Sequence, residues 1–205
     1  MPKPYDAAYF DHWYRADDQR KGRRALLTRK VALAVAMAEY HLQRPLRSVL
    51  DVGCGEGVWR APLLALRPKL AYMGVDASEY AVARFGRRRN LKHVRFSQLA
   101  ELRFGAPVDL LVCSDVLHYL SAREVQQGLS GFSELCDGVG YFEVFCRGDD
   151  VVGDVQGFCP RSADFYRRAF ARAGFSACGS HCYLSPALAD EATALEVSAN
   201  PAALR

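Results

Sequence analysis

The apolar positions of this chain change period repeatedly, and each change marks an element. Between Tyr5 and Tyr14 the aromatics Tyr5, Tyr9, Phe10, Trp13 and Tyr14 fall at spacings that suit one face of a helix. Asp17 to Arg24 is polar and basic. Ala25 to Leu42 is alanine-rich and free of Gly and Pro, which predicts a long helix ended by Pro45. Ser48 to Val52 reads as a short buried strand, followed by glycines and by a helix to about Leu66 with Pro62 in its first turn. Leu70 to Val75 is a second strand, and Ser78 caps a helix running to about Arg89. Val94 to Ser97 and Val108 to Ser114 are the third and fourth strands, and Ala122 to Cys136 is the helix after them. Gly140 to Phe145 is a fifth strand, and Asp164 to Ala173 a helix closed by Gly174. Ser176 to Leu184 and Ala192 to Val197 are read as a closing hairpin. Strands alternating with helices predict an α/β fold, a parallel sheet covered on both faces. The organisation expected is an N-terminal helical cap over residues 1–44 and a core over residues 45–205, one compact domain overall.

Composition narrows the class. Half of the residues are hydrophobic and 24% are charged, the balance of an ordinary water-soluble domain. The longest apolar candidate, Val31 to Ala38, is flanked by Lys30 and Glu39 and falls far short of the roughly 20 residues of a membrane helix. The N-terminal stretch sets Asp6 and Asp11 among aromatics, unlike the basic-then-apolar layout of a signal peptide. A cytoplasmic location without membrane contact is therefore expected. The seven cysteines include no CxxC pair, which fits thiols in a reducing compartment. His181 and Cys182 lack a second pair at ligand spacing, so no metal is expected. A net charge of +4 does not by itself imply nucleic acid.

The segment Val49–Gly57, VLDVGCGEG, carries the most chemistry. It follows a predicted strand and opens a predicted helix, the context that gives a glycine pattern meaning. Gly53 and Gly55 let the backbone turn tightly and approach a ligand. A dinucleotide fingerprint would put its third glycine at position 58, which is Val58; here the glycines stand at 53, 55 and 57. Asp51 precedes them, and an acid beside the loop suits a cationic ligand better than a pyrophosphate. DVGCGEG resembles motif I of class I S-adenosylmethionine-dependent methyltransferases. That resemblance spans roughly Arg47 to Leu184. It implies a three-layer Rossmann-like sheet in the order 3-2-1-4-5-7-6 with strand 7 antiparallel. It also implies a loop, Gly53, Cys54, Gly55 and Gly57, that passes beneath the cofactor's methionine and ribose.

The resemblance extends to later strand ends. Asp76 in YMGVDAS lies 25 residues after Asp51 and matches the family acid that accepts both ribose hydroxyls. Its alternative role is to cap the next helix beside Ser78. Ala77 is small enough to lie against adenine. Many members have an aspartate where this chain has Gln98 and Leu99, so the Gln98 amide oxygen is the candidate acceptor for the adenine amino group. Ser114 and Asp115 end the fourth strand at the switch point where open α/β sheets place ligands. His118, next along, is a candidate general base, with packing as the other reading. Glu143, with Asp149, Asp150 and Asp154, lies in or beside a probable loop after the fifth strand, where substrate contacts are often built. Arg84, Arg87, Arg88 and Arg89 suit the last turns of a helix, where cations favour the dipole. Arg20, Lys21, Arg23 and Arg24 are open to two readings, a solvated face or an anion site.

The function implied is methyl transfer from S-adenosylmethionine to the O, N or C nucleophile of a small molecule, releasing S-adenosylhomocysteine. Amino-group nucleic-acid methyltransferases of this class carry an Asn/Asp-Pro-Pro-aromatic motif after the fourth strand, where this chain has SDVLHY. An RNA or protein methyltransferase and a non-methylating relative that binds the same cofactor are the alternatives. Five aromatics among the ten residues Tyr5–Tyr14 are too many for a disordered tail. Tyr9, Trp13 and Tyr14 are therefore expected either in a lid over cofactor and acceptor, a sulfonium being attracted to aromatic faces, or as rings that seal the sheet's edge.

Overall fold

The structure is a computed structural model and describes residues 5–15, 20–151, 154–193 and 195. Helices α1 (Ala7–Arg15) and α2 (Arg20–Leu42) precede β1 (Ser48–Val52), α3 (Arg60–Leu66), β2 (Ala71–Asp76), α4 (Glu79–Arg89) and β3 (Leu91–His93). There follow β4 (Val108–Ser114), α5 (Ala122–Leu129), α6 (Phe132–Leu135), β5 (Cys136–Glu143), α7 (Ala163–Arg172), β6 (Ser176–Gly179) and β7 (Cys182–Leu184). The seven strands form one sheet in the order β3-β2-β1-β4-β5-β7-β6. The pairings among β1 to β5 are parallel, while β7 runs antiparallel to β5 and β6. Order and direction are those the resemblance implied.

Side-chain alternation along the central strands builds the two faces. Leu110 and Val112 of β4 join Val31, Ala34, Val35 and Ala38 of α2, with Trp59 and Tyr141. Leu111 and Cys113 point the other way and meet Val125, Leu129, Phe132, Phe142 and Phe170. The carboxy-terminal end of α2 is tied down by charge-assisted bonds. Arg44 donates to both Asp109 oxygens at 2.8 Å, Arg67 forks onto Glu39, and Leu46 N donates to Glu39 at 2.9 Å. These anchors fix α2 across the sheet, which later bears on Lys30.

Four boundaries differ from the sequence reading. The third strand is Leu91–His93, not Val94–Ser97. Asn90 ends α4 in a left-handed turn (φ 57), so pairing with Gly74–Asp76 begins at Leu91. Val94 and Phe96 instead turn into the core, and Phe96–Ala100 is a 3-10 turn. The helix expected over Ala122–Cys136 breaks in two because Gly131 lies against the 3-10 turn; a Cβ there would sit 2.0 Å from the Leu99 carbonyl oxygen. β5 starts at Cys136 rather than Gly140. The closing hairpin lies wholly within Ser176–Leu184, across a turn where Gly179, Ser180 and His181 all have positive φ. Ala192 and Thr193 are not in a strand, and residues 194, 196 and 197 lie outside the described residues.

Two glycines define opposite expectations. A Cβ at Gly138 of β5 would stand 1.9 Å from the Asp109 carbonyl oxygen, a backbone atom that cannot swing away. Gly138→Ala should lower unfolding free energy by about 2–3 kcal/mol in urea titrations. Gly22, exposed in α2, has nothing within 4 Å of such a Cβ, so Gly22→Ala should raise it by about 0.5–1 kcal/mol. Equal effects from the two would contradict this packing.

Candidate functional site

The glycine loop leaves β1 at the carboxyl end of the sheet. Gly53 N and Cys54 N donate to the Val75 carbonyl at 2.8 and 3.1 Å, carrying the loop over the end of β2. Gly53, Gly55 and Gly57 have φ of +67°, +53° and +73°, which explains the choice of glycine at each. A Cβ at Gly53 would lie 2.2 Å from Val116 Cγ2, so the turn after β4 rests directly on the loop. Cys54 is buried beside Gly74, its thiol pushed up by burial.

Two acids bracket the loop. Asp51 is buried and accepts the Tyr72 hydroxyl at 2.7 Å. Burial holds its carboxyl up at about 7, opposed by the Tyr72 hydroxyl and aided by the Asp76 charge. Asp76, half-buried, accepts Gly55 N on Oδ2 and Ser78 N on Oδ1, both at 2.7 Å. Desolvation pushes this carboxyl upward, and the two N–H donors oppose it. Each oxygen retains a lone pair for a further donor. Ser78 Oγ both caps α4, accepting Ala81 N at 3.1 Å, and donates to the Tyr5 carbonyl at 2.7 Å. Both readings of the Asp76 region therefore coexist: Ser78 caps, and the acid holds the loop.

Helix α1 lies over this end of the sheet. Phe10 is buried and stacks on Tyr80 of α4, with ring centroids 5.6 Å apart. Tyr5 and Tyr9 meet edge to face at 5.1 Å. Burial, with the charges of Asp76 and Asp154, pushes the Tyr5 phenol up to about 12. Burial also raises Tyr9, with Tyr119, Asp154, Tyr5 and Asp76 adding to it. Tyr119 donates to the Asp154 carbonyl at 2.7 Å. One cluster thus gathers α1, the second acid and the loop after β5. Trp13 is half-buried, and its carbonyl accepts Arg23 Nη1 at 2.6 Å. Tyr14 shares α1; its side chain and those of Arg20 and Lys21 lie outside the described residues.

At the switch point Ser114 Oγ donates to Glu143 Oε2 at 2.7 Å, and Lys30 Nζ reaches the same carboxylate at 2.7 Å. The sequence reading named Ser114 and Glu143 and missed Lys30, because nothing local marks a lysine on α2 as facing a strand end 113 residues away. Tyr5 and Ser78 were likewise not named as site residues.

Three further candidates are Gln98, Leu99 and His118. Gln98 is exposed, and its Oε1 accepts Arg95 N at 2.8 Å as part of a cap, while Leu99 is fully buried in the core. His118 is fully buried, its ring 4.2 Å from Tyr119 and 5.5 Å from both Phe145 and Phe158. Its Nδ1 accepts Phe145 N at 3.4 Å, and its carbonyl accepts Cys159 N at 2.7 Å. Arg161 clamps the same turn through the Leu117 and Leu120 carbonyls. A separate cavity of about 170 Å³, lined by Val49, Met73, Asn90 and Phe104 among others, opens at the amino ends of β1 and β2, opposite the glycine loop. Its acid, Glu134, is paired with Arg103.

The strand order and the antiparallel β7 are those of the Rossmann-like methyltransferase fold. Residues 50–142, from the middle of β1 almost to the end of β5, match the family model described as a methyltransferase domain. Solved structures share the fold. The magnesium protoporphyrin IX methyltransferase of Synechocystis, with bound S-adenosylhomocysteine, superposes with a TM-score of 0.62 at 22% identity, over 84% of this chain and 87% of that one. The sugar N-methyltransferase KedS8 of Streptoalloteichus gives 0.63 at 16% identity, over 90% and 93%. The S-adenosylmethionine-bound amino pentose methyltransferase CalS10 of Micromonospora echinaspora gives 0.55 at 19%, over 74% and 84%. No curated protein matches significantly by sequence. Among the described residues no helix is long and apolar enough to cross a membrane, and no group of three His, Cys, Asp or Glu residues is placed to hold a metal.

The Asp51 carboxyl makes a testable pH signature. Its folded value, about 7, exceeds its unfolded value near 4, so the folded state holds the proton more tightly between them. Its contribution to stability is therefore greatest below about pH 4 and falls as pH rises toward about 7. Asp51→Asn cannot ionise. Compared with wild type in urea titrations without ligand, it should lack this part of the decline. Parallel stability-against-pH curves would contradict the assignment.

Proposed function

We propose that this chain transfers the methyl group of S-adenosylmethionine to an O, N or C nucleophile of a small molecule. The observation that carries the reading is the Asp76 carboxylate. It grips the glycine loop through Gly55 N and keeps lone pairs for ribose hydroxyls. Gly53, Cys54, Gly55 and Gly57 would run beneath the cofactor, and Asp51 would face its cationic amino-acid portion. Ala77 would border adenine, whose edge falls to backbone groups of the Phe96–Ala100 turn, since the Gln98 amide oxygen is engaged as a cap. Ser114 would stand beside the reacting end. When bound, S-adenosylmethionine supplies an already activated methyl group, so the protein's work is to position the acceptor and exclude water.

The acceptor would enter at the end of the sheet that α1 covers. Helix α1 closes over it as the proposed lid, with Tyr9 and Trp13 as candidate acceptor contacts. His118 is assigned a packing role: its ring is buried among Tyr119, Phe145 and Phe158.

Calorimetry with S-adenosylhomocysteine tests the cofactor assignment. The wild-type protein should bind it at about micromolar affinity, and Asp76→Ala should weaken binding at least about tenfold by losing a bidentate charged contact. Unchanged affinity in that variant would remove the ribose assignment. The lid has its own test. S-adenosylhomocysteine should slow protease cleavage within residues 5–24, and Phe10→Ala, which removes the ring stacked on Tyr80, should abolish that protection. A digestion rate indifferent to the ligand would mean that α1 only seals the sheet.

A further inference from the structure

Most carboxylates around the cleft are already engaged. Asp51 accepts from Tyr72, Asp76 from Gly55 N and Ser78 N, and Asp154 from Gln156 N at 2.8 Å. Glu143 is held by Lys30 and Ser114. Asp115 differs. Its backbone N–H extends the ladder onto the Glu143 carbonyl at 3.0 Å, but among the described residues its carboxylate takes part in no hydrogen bond or ion pair.

Its placement is specific. Asp115 follows the last residue of β4, at the switch point between β1 and β4. It holds a left-handed backbone (φ 61) that non-glycine residues adopt rarely and that clusters at functional sites. Its neighbour Val116 packs on Gly53, so Asp115 stands one residue from the glycine loop. The ionisable groups facing it are Glu143 and Tyr141 from β5, Lys30 from α2 and Tyr119 from the following turn.

Resting on the methyltransferase reading above, we propose that Asp115 is a catalytic residue that binds the proton-bearing nucleophile of the acceptor, an amine or a hydroxyl, and takes its proton. The nucleophile donates a hydrogen bond to the carboxylate, which fixes the direction of its lone pair. As that lone pair forms the bond to the methyl carbon, the carbon–sulfur pair stays on sulfur as a neutral thioether. The nucleophile's proton passes to Asp115 and then to solvent. Glu143 cannot serve equally, because Lys30 and Ser114 already engage its carboxylate; they are positioning residues that hold it in place. Asp115 keeps a solvent-facing edge, yet desolvation and the Glu143 charge push its carboxyl upward against Lys30, in the direction that strengthens a base. The acceptor class follows from charge: an anionic carboxylate acceptor would meet both Asp115 and Glu143.

The test uses three probes that share one ring: benzylamine, benzyl alcohol and benzoate. Each is titrated calorimetrically into protein saturated with S-adenosylhomocysteine. At least one of the two donors should bind, and benzoate should bind at least about tenfold more weakly. The tighter of benzylamine and benzyl alcohol names the acceptor as amine or hydroxyl. Asp115→Asn should lower the donor's affinity at least about tenfold, and Asp115→Glu should restore part of it. Both variants should keep S-adenosylhomocysteine affinity within about twofold, as expected of a group outside the cofactor contacts. In carbon-13 spectra the Asp115 carboxyl should titrate above the ordinary carboxylate range and move down when benzylamine binds. Benzoate binding as tightly as the donors, no donor binding, or an unchanged Asp115→Asn would overturn the proposal. Failure of wild type to bind S-adenosylhomocysteine would instead overturn the methyltransferase reading.

Discussion

The hydrogen bond from Gly55 N to the Asp76 carboxylate is the interaction on which this site depends. It joins the loop after β1 to the end of β2, two strands that are already neighbours in the sheet. Without that acceptor the loop's N–H would be left unpaired where three glycines give the chain wide freedom. The same carboxylate orders Ser78, and Ser78 in turn holds both α4 and the start of the N-terminal helix through the Tyr5 carbonyl. One acid therefore links loop, helix and cover, which is why its position governs the rest of the cleft.

Electrostatics then separates the carboxylates by role. Asp51 is buried against Tyr72, and burial favours its neutral form. Asp76 is kept in place by backbone donors. Glu143 is fixed by a cation carried on α2, a helix whose far end is pinned by the Arg44–Asp109 and Glu39–Arg67 pairs. Those anchors set where Lys30 meets Glu143, while among the described residues the Asp115 carboxylate has no such partner.

The fold was legible because its signals are local and periodic. The SVLDV strand, the glycine loop after it and the capped helix from Ser78 are each specified within a few residues. Asp51, Asp76, Ser114 and Glu143 could be named because strand ends at a switch point are where such sheets bind ligands. What could not be read were contacts between distant segments. Lys30 meets Glu143 across 113 residues. Gln98 turns out to cap its own 3-10 turn, because Arg95 N offers its side chain a nearer partner than any ligand. The third strand was misplaced by its hydrophobicity: Val94 and Phe96 are apolar because they fill the core after the strand, whereas Lys92 and His93 pair at an exposed edge. For His118 the sequence leaves a general base and a packing residue both open, and the structure encloses its ring among three aromatic rings.

The most direct measurement is a crystal structure of the protein grown with S-adenosylhomocysteine. The ribose hydroxyls should lie on the Asp76 carboxylate, with the amino-acid end above Gly53–Gly57 and α1 closed over it. Ligand bound instead in the cavity between Val49, Met73 and Phe104, or away from Asp76, would contradict the assignment of this site.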